Sequence, residues 1–229
     1  YIGDKKASVL YDLNLGPLYT INSVVFLSRD TQVLDILKMI TPGSNLKPGA
    51  PLDGQLFEAE KLRITAELKN RGYAYFVPQF IEYTGDSLGT KADVRVEILP
   101  FNDSTMHKTY TIEKVEVYSG VVPELTVLRS DTTINGIYFA AVERKFFVRP
   151  DRVYQTISIR PGELYRQSDF DKTLRKLNGL GVYRFVSVRP SSDSTQEGKM
   201  NVAISLSPNE RFSFGYGNDF NYSTLKGGL

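Results

Sequence analysis

The segment Tyr19-Thr20-Ile21-Asn22-Ser23-Val24 returns later in the chain as Tyr110-Thr111-Ile112-Glu113-Lys114-Val115. Three further landmarks return in the same order. Leu46-Lys47-Pro48-Gly49 comes back as Ile159-Arg160-Pro161-Gly162. Each Pro-Gly precedes a helical pattern and then Gly72-Tyr73 or Gly181-Val182-Tyr183. Each copy closes on an alternating run that ends in proline, residues 94–100 and 202–208. Landmarks repeated in order mark a duplicated supersecondary unit. The first two landmarks lie farther apart in the second copy, so that copy holds an insertion, placed at about residues 119–149.

Periodicity gives the elements of the first copy. Residues 18–28 alternate around β-branched side chains and read as a strand. Ser28 or Asp30 caps a helix over residues 31–40, where Val33, Ile36, Leu37 and Ile40 share one face. Pro42-Gly43 stops it. Asp53 caps a second helix whose buried face carries Phe57, Ile64 and Leu68, and Gly72 supplies the left-handed exit. Residues 73–83 read as a strand, and Pro78 within it points to a sheet edge. A loop begins at Gly85, and residues 92–99 return as a strand. The second copy repeats the order: a strand at 110–118, a helix from Pro150 to about Ile157, and a helix from the capping run Ser168-Asp169-Phe170-Asp171. That helix has Phe170, Leu174 and Leu177 on one face and ends at Gly179 and Gly181. Strands follow at 182–189 and 200–206. Within the insertion, residues 137–147 read as extended.

The fold class is therefore α+β, built of tandem β-α-α-β-β modules; the family resemblance given below implies for each a three-stranded mixed sheet with two helices on one face. The expected boundaries are a closing strand of a preceding module at 1–17, a first module at 18–101, a linker at 102–108, a last module at 109–208, and at 209–229 the start of a barrel strand. The linker region 101–108 is short and polar, so hinge freedom is expected there. Arg211-Phe212-Ser213-Phe214-Gly215-Tyr216-Gly217 alternates aromatic with small or polar residues, as a barrel strand does; an ordinary amphipathic strand shows the same pattern.

Composition narrows the function. A net charge of +2 over 229 residues argues against a nucleic-acid partner. With no cysteine, a disulfide framework, a thiolate nucleophile and a zinc-thiolate site are excluded. The one histidine, His107, lies in the polar run before Lys108 and reads as a solvated linker residue rather than a catalytic base. The acidic pairs Glu58/Glu60 and Asp169/Asp171 read as helix-start electrostatics and solubility. No phosphate-cradling glycine loop or nucleophile elbow is present. No catalytic residue, cofactor, metal or small-molecule substrate is expected. Arg144-Lys145 and residues 149–152 read as a solvated basic face; the alternative is contact with acidic lipid headgroups.

A small open sheet leaves one strand with unpaired backbone groups, to which an extended segment can add. The candidate edges are residues 73–83, with Tyr73, Tyr75, Val77, Gln79, Ile81 and Tyr83, and residues 182–189, with Tyr183, Phe185 and Ser187. Gly49, Gly72, Gly162 and Gly181 are the expected turn residues.

The unit with Tyr-Thr-Ile-x-x-Val at its start, then Pro-Gly, then Gly-Tyr, resembles the POTRA (polypeptide-transport-associated) domain of the outer-membrane insertase superfamily typified by BamA and TamA. Ile159-Arg160-Pro161-Gly162-Glu163-Leu164-Tyr165, followed by Thr173-Leu174-Arg175-Lys176-Leu177 and Gly181-Val182-Tyr183-Arg184-Phe185, is similar to the last such domain of that family. The insertion gives the chain more likeness to the TamA-like lipoprotein branch of Bacteroidota than to BamA itself. The resemblance implies a periplasmic region attached to the outer membrane through a C-terminal barrel. It also implies outer-membrane precursor proteins and accessory assembly subunits as partners. A two-partner secretion transporter, a surface adhesin and a carboxylate-pair hydrolase are the rival expectations.

Overall fold

The computed structural model describes residues 9–12, 16–120, 128–192 and 196–209. Contacts divide the chain into two compact units. The first holds residues 1–113, 162–170 and 192–200, and the second holds 114–161, 171–191 and 201–229. The expected barrel strand after Asn209 lies outside the described residues. So does most of the expected closing strand at 1–17, of which residues 9–12, 16 and 17 are described and belong to no strand.

In the first unit β1 is Thr20–Ser28, α1 Thr31–Ile40, α2 Gly54–Lys69, β2 Ile81–Leu88 and β3 Lys91–Ile98. Asp30 is the α1 cap, its carboxylate accepting from the N–H groups of Gln32 and Val33. Asp53 does the same for α2 through Gln55 N–H at 2.9 Å. α1 buries Val33, Leu37 and Ile40, one face at i, i+4 and i+7. A buried leucine such as Leu37 is worth about 1.5–3 kcal/mol, so these helices hold by packing rather than by propensity. The sheet order is β1-β3-β2, with β1 parallel and β2 antiparallel to β3. Val94, Val96 and Ile98 of β3 lie in the core with Ile64 and Leu68 of α2.

Residues 73–80 are not the strand that their alternation predicts. After the α2 cap at Asn70, Gly72 turns at φ +97° and Tyr73 N–H donates to Leu68 O. Tyr73 and Phe76 then drop into the core, 2% and 1% exposed. Pro78 opens a single 3-10 turn, Pro78–Phe80, and β2 begins at Ile81. Two aromatic side chains needed in the core, Tyr73 and Phe76, override strand propensity. β2 in turn runs through the loop expected at Gly85 and ends in a two-residue turn. There Gly89 has φ +64° and Thr90 does not share it, the pattern of a glycine-first hairpin turn.

The stretch after β3 is folded within the first unit. Asn102 Oδ1 accepts from Ser104 and Thr105 N–H at 3.0 and 2.9 Å. His107 is half-buried. Its Nε2–H donates to Leu99 O at 2.8 Å, and its ring meets Phe80 and Phe76 edge-on at 4.6 and 4.9 Å. It is a packing residue where the sequence predicts a solvated one.

The sequence repeat is also a repeat of hydrogen bonds. Gly49 N–H donates to Ile21 O at 2.7 Å and Gly162 N–H to Ile112 O at 2.7 Å. Ile21 N–H donates to Ala50 O and Ile112 N–H to Glu163 O, both at 2.8 Å. Both glycines are left-handed, at φ +85° and +83°. The landmarks recur because each Pro-Gly turn must clip onto the start of a first strand.

The later elements are β4 Thr111–Ser119, β5 Ser130–Ile134, β6 Ile137–Ala141, α3 Pro150–Thr156, α4 Gln167–Gly179, β7 Tyr183–Ser192 and β8 Lys199–Pro208. Their sheet has five strands, β5-β6-β4-β8-β7, not three. The insertion supplies the extra two. β6 pairs parallel with β4 from Val115↔Ile137 to Ser119↔Ala141, and β5 pairs antiparallel with β6. Asn135 and Gly136 join them with φ +46° and +80°, the turn that an Asn-Gly pair favours. Ile137, Phe139, Ala140 and Ala141 are buried, so the insertion is part of the core. Only residues 137–141 of the stretch expected to be extended are strand. On α4 the buried positions are Phe170, Thr173 and Leu177, while Leu174 is 37% exposed. Thr173 takes the buried place because its Oγ1 accepts from Ser158 N–H at 2.9 Å, anchoring the chain after α3.

Candidate functional site

β2 is an edge strand with β3 as its one sheet neighbour among the described residues. Leu99 N–H donates to Phe80 O at 2.8 Å, making Phe80 and Leu99 a bonded pair of the antiparallel ladder. Bonded and non-bonded pairs alternate. Residues 82, 84, 86 and 88 therefore turn their backbone groups toward β3, and Tyr83, Gly85 and Ser87 turn theirs outward. Beside this free ribbon lies an open cavity of about 550 Å³, lined by Leu52, Phe57, Tyr83, Gly85, Ser87 and Val94 among others.

The groove wall is held from below. Tyr83 Oη donates to Phe57 O at 3.0 Å, its ring meets Phe57 edge-on at 4.8 Å, and Lys61 Nζ lies 5.5 Å from the ring centre. Burial and the neighbouring Glu60 and Glu58 carboxylates push the Tyr83 phenol far above its ordinary range, so it stays neutral and donating. One turn along α2, Glu60 is fully buried, not a surface charge for solubility. It receives Ser44 Oγ–H at 2.8 Å, Asn45 N–H at 2.8 Å and two bonds from Arg63, at 3.0 and 2.6 Å. Burial alone raises its pKa. The Arg63, Asn45 and Ser44 hydrogen bonds and the Arg63 charge outweigh that and leave it below 4.5. Arg63 also donates to Ile40 O at 3.0 Å, so this pair ties the end of α1 to α2.

Of the residues predicted for this edge, Ile81 and Tyr83 lie on β2. Tyr73 is core, Tyr75 is a loop residue, Val77 precedes the 3-10 turn and Gln79 lies within it, so these four do not line the edge. Gly85 and Ser87 do, and were missed because Gly85-Asp86-Ser87 has loop composition. The signal that recovers them is Leu88-Gly89-Thr90-Lys91, a two-residue turn between strands. Tyr183, Phe185 and Ser187 lie on β7, the other predicted edge and one margin of the five-stranded sheet. Tyr183 is buried, Phe185 is 54% exposed, and Pro190 further along accords with an edge position. Gly49, Gly72, Gly162 and Gly181 all have positive φ. Arg144 and Lys145 are exposed, while Arg149 pairs with Asp151 at 3.2 Å. Among the described residues no acidic or histidine cluster is arranged to hold a metal ion, and no helix is long and apolar enough to cross a membrane. The latter says nothing of a β-barrel.

Residues 128–208 match the family described as Toc75-like, POTRA domain. Among solved structures, the POTRA3–5 region of Haemophilus influenzae BamA is 10% identical over 82% of this chain and 61% of that chain, with a TM-score of 0.47. BamA from Haemophilus ducreyi lacking POTRA domains 1–3 is 9% identical over 83% of this chain and 30% of that one, with a TM-score of 0.57. CdiB from Escherichia coli is 12% identical over 90% and 30%, with a TM-score of 0.28. The chain thus spans 61% and 30% of the two BamA structures. No curated protein sequence matches it. The likeness to the Haemophilus ducreyi structure is one of fold. The chain is an α+β protein, and its residues 128–208 are similar to a POTRA domain.

Proposed function

We propose that this chain is a periplasmic docking region of an outer-membrane protein assembly factor, with module boundaries at 18–101 and 109–208. It takes up extended segments of precursor proteins and accessory subunits by strand addition and hands them to a barrel. In this reading the insertion is taken as a sign of the TamA-like branch. The work is association, with no covalent chemistry. One observation carries the reading: β2 turns the backbone groups of Tyr83, Gly85 and Ser87 outward beside an apolar groove of about 550 Å³. Main-chain bonding of this kind makes little demand on client sequence, as a shared docking strand requires. β7 offers a second edge.

The test is a proline at an outward-facing position. An edge strand tolerates proline where its N–H is unpaired in the fold, so Gly85→Pro keeps the sheet but removes a donor to the incoming strand. Anisotropy with a labelled eight-residue barrel-strand peptide is expected to show about tenfold weaker binding to this variant, some 1.4 kcal/mol. Unchanged binding with an unchanged circular dichroism spectrum would remove β2 as the docking strand.

A further inference from the structure

The two faces of β2 differ in charge, and an added strand inherits both. On the helix side its neighbours are apolar, through Tyr83 and the groove. On the solvent side the ladder sets Glu82 opposite Glu97 and Asp86 opposite Asp93. Like charges directly across a ladder are unfavourable, and here two such pairs sit beside the free edge. They are only partly relieved. Arg95, opposite Thr84, reaches Asp86 at 3.1 Å, and Asp93 accepts from Asn22 Nδ2 and Ser23 Oγ at 2.8 and 2.5 Å. Those two contacts on Asp93 are possible because β1 bulges between Ile21 and Ser23, which brings both side chains to one carboxylate. The side chains of Glu82 and Glu97 have no hydrogen bond or ion pair among the described residues. Lys91, at the far end opposite Leu88, is the other cation of the face.

We propose, building on the docking reading above, that the β2 edge selects extended segments with apolar residues on one face and Lys or Arg on the other. Alternate side chains of an added strand fall on alternate faces. Those level with Tyr83, Gly85 and Ser87 enter the groove. Those level with Glu82, Thr84 and Asp86 stand roughly 4.5–5.5 Å from the acidic side chains, the ordinary cross-strand distance. A cation there relieves the repulsion that the free sheet carries, and a carboxylate adds to it. Glu82, outermost and unpaired, is the leading specificity residue.

The experiment uses the full 229-residue chain and two labelled eight-residue peptides that alternate Val or Phe with Lys in one and with Glu in the other. At low ionic strength the Lys peptide is expected to bind about fivefold tighter or more, with the gap narrowing in 0.5 M salt as exposed charges are screened. The double variant Glu82→Lys/Glu97→Lys, both members on the solvent face and outside the core, is expected to reverse the preference. Equal binding of the two peptides, or a Lys preference that survives the double variant, overturns the charge selection and leaves docking itself standing. Binding by neither peptide overturns both readings. A Lys preference that reverses in the variant but is insensitive to Gly85→Pro keeps the charge selection and moves the backbone contact elsewhere.

Discussion

Two side chains of the first unit, Glu60 and His107, both lose stabilising effect on acidification. Glu60 has its pKa lowered below 4.5 on folding. Its contribution is complete above pH 4.5 and is lost as pH falls through the folded value. Glu60→Ala leaves Arg63 and Asn45 N–H without their acceptor and is expected to cost about 3 kcal/mol in a urea melt at pH 7. Glu60→Gln should flatten the acid limb of the stability curve. His107 also has a lowered pKa, because burial disfavours its charged form more than the bond to Leu99 O and the Asp30 carboxylate favour it. Stability from neutral His107 is therefore complete above pH 6.5 and falls on acidification. As the one histidine in the sequence it is a clean proton-NMR reporter, and a titration midpoint at or above 6.5 would contradict this packing. Neither role was legible beforehand. Glu60 sits in a helix pattern that looks like any exposed face, and the residues that bury it, Ser44 and Asn45, arrive from a loop. His107 reads as solvated because Phe76 and Phe80, which cover it, lie in a run that alternates like a strand.

At the level of elements, local periodicity reads well where one face packs and poorly where several residues must reach one point. α1 and its Asp30 cap follow from spacing alone, and so do the Pro-Gly clips, since they depend on neighbours near in sequence. Residues 73–80 alternate like a strand yet form turns, because Tyr73 and Phe76 are needed in the core. The β5–β6 hairpin is legible in Thr132-Thr133-Ile134-Asn135-Gly136-Ile137-Tyr138-Phe139, a strand, an Asn-Gly turn and a strand. The pairing of β6 with β4 was not legible, since parallel partners lie far apart in sequence. Gly136→Val is expected to destabilise the chain by about 1–2 kcal/mol, the cost of a left-handed side-chain-bearing residue, with amide exchange quickening in β5 and β6 first. Gly54, by contrast, opens α2 with an ordinary φ and has nothing within 4 Å of an added Cβ. Gly54→Ala should raise the denaturation midpoint by about 0.5 kcal/mol equivalent.

For the whole molecule, the first unit is discontinuous in sequence, drawing on residues 1–113, 162–170 and 192–200. Within it Tyr110 N–H donates to Gly72 O at 2.9 Å, and Ser168 N–H to Asn70 Oδ1 at 2.9 Å. Leu164 lies so near Gly72 that an added Cβ would come within 2.9 Å of it. A fragment ending at Lys108 lacks these partners. It is expected to melt several degrees below the corresponding transition of the intact chain in calorimetry, and an equal midpoint would show that the distant segments contribute nothing.

The parallel seam between β6 and β4 has a kinetic side. A strand covalently tethered to its partner acts at millimolar effective concentration or above, and here its side chains are sunk in the interior as well. Free peptide at micromolar levels cannot compete for that position. Any affinity measured on this chain in solution therefore reports on margins the polypeptide has left vacant, and a titration that saturates does so without evicting the resident strand.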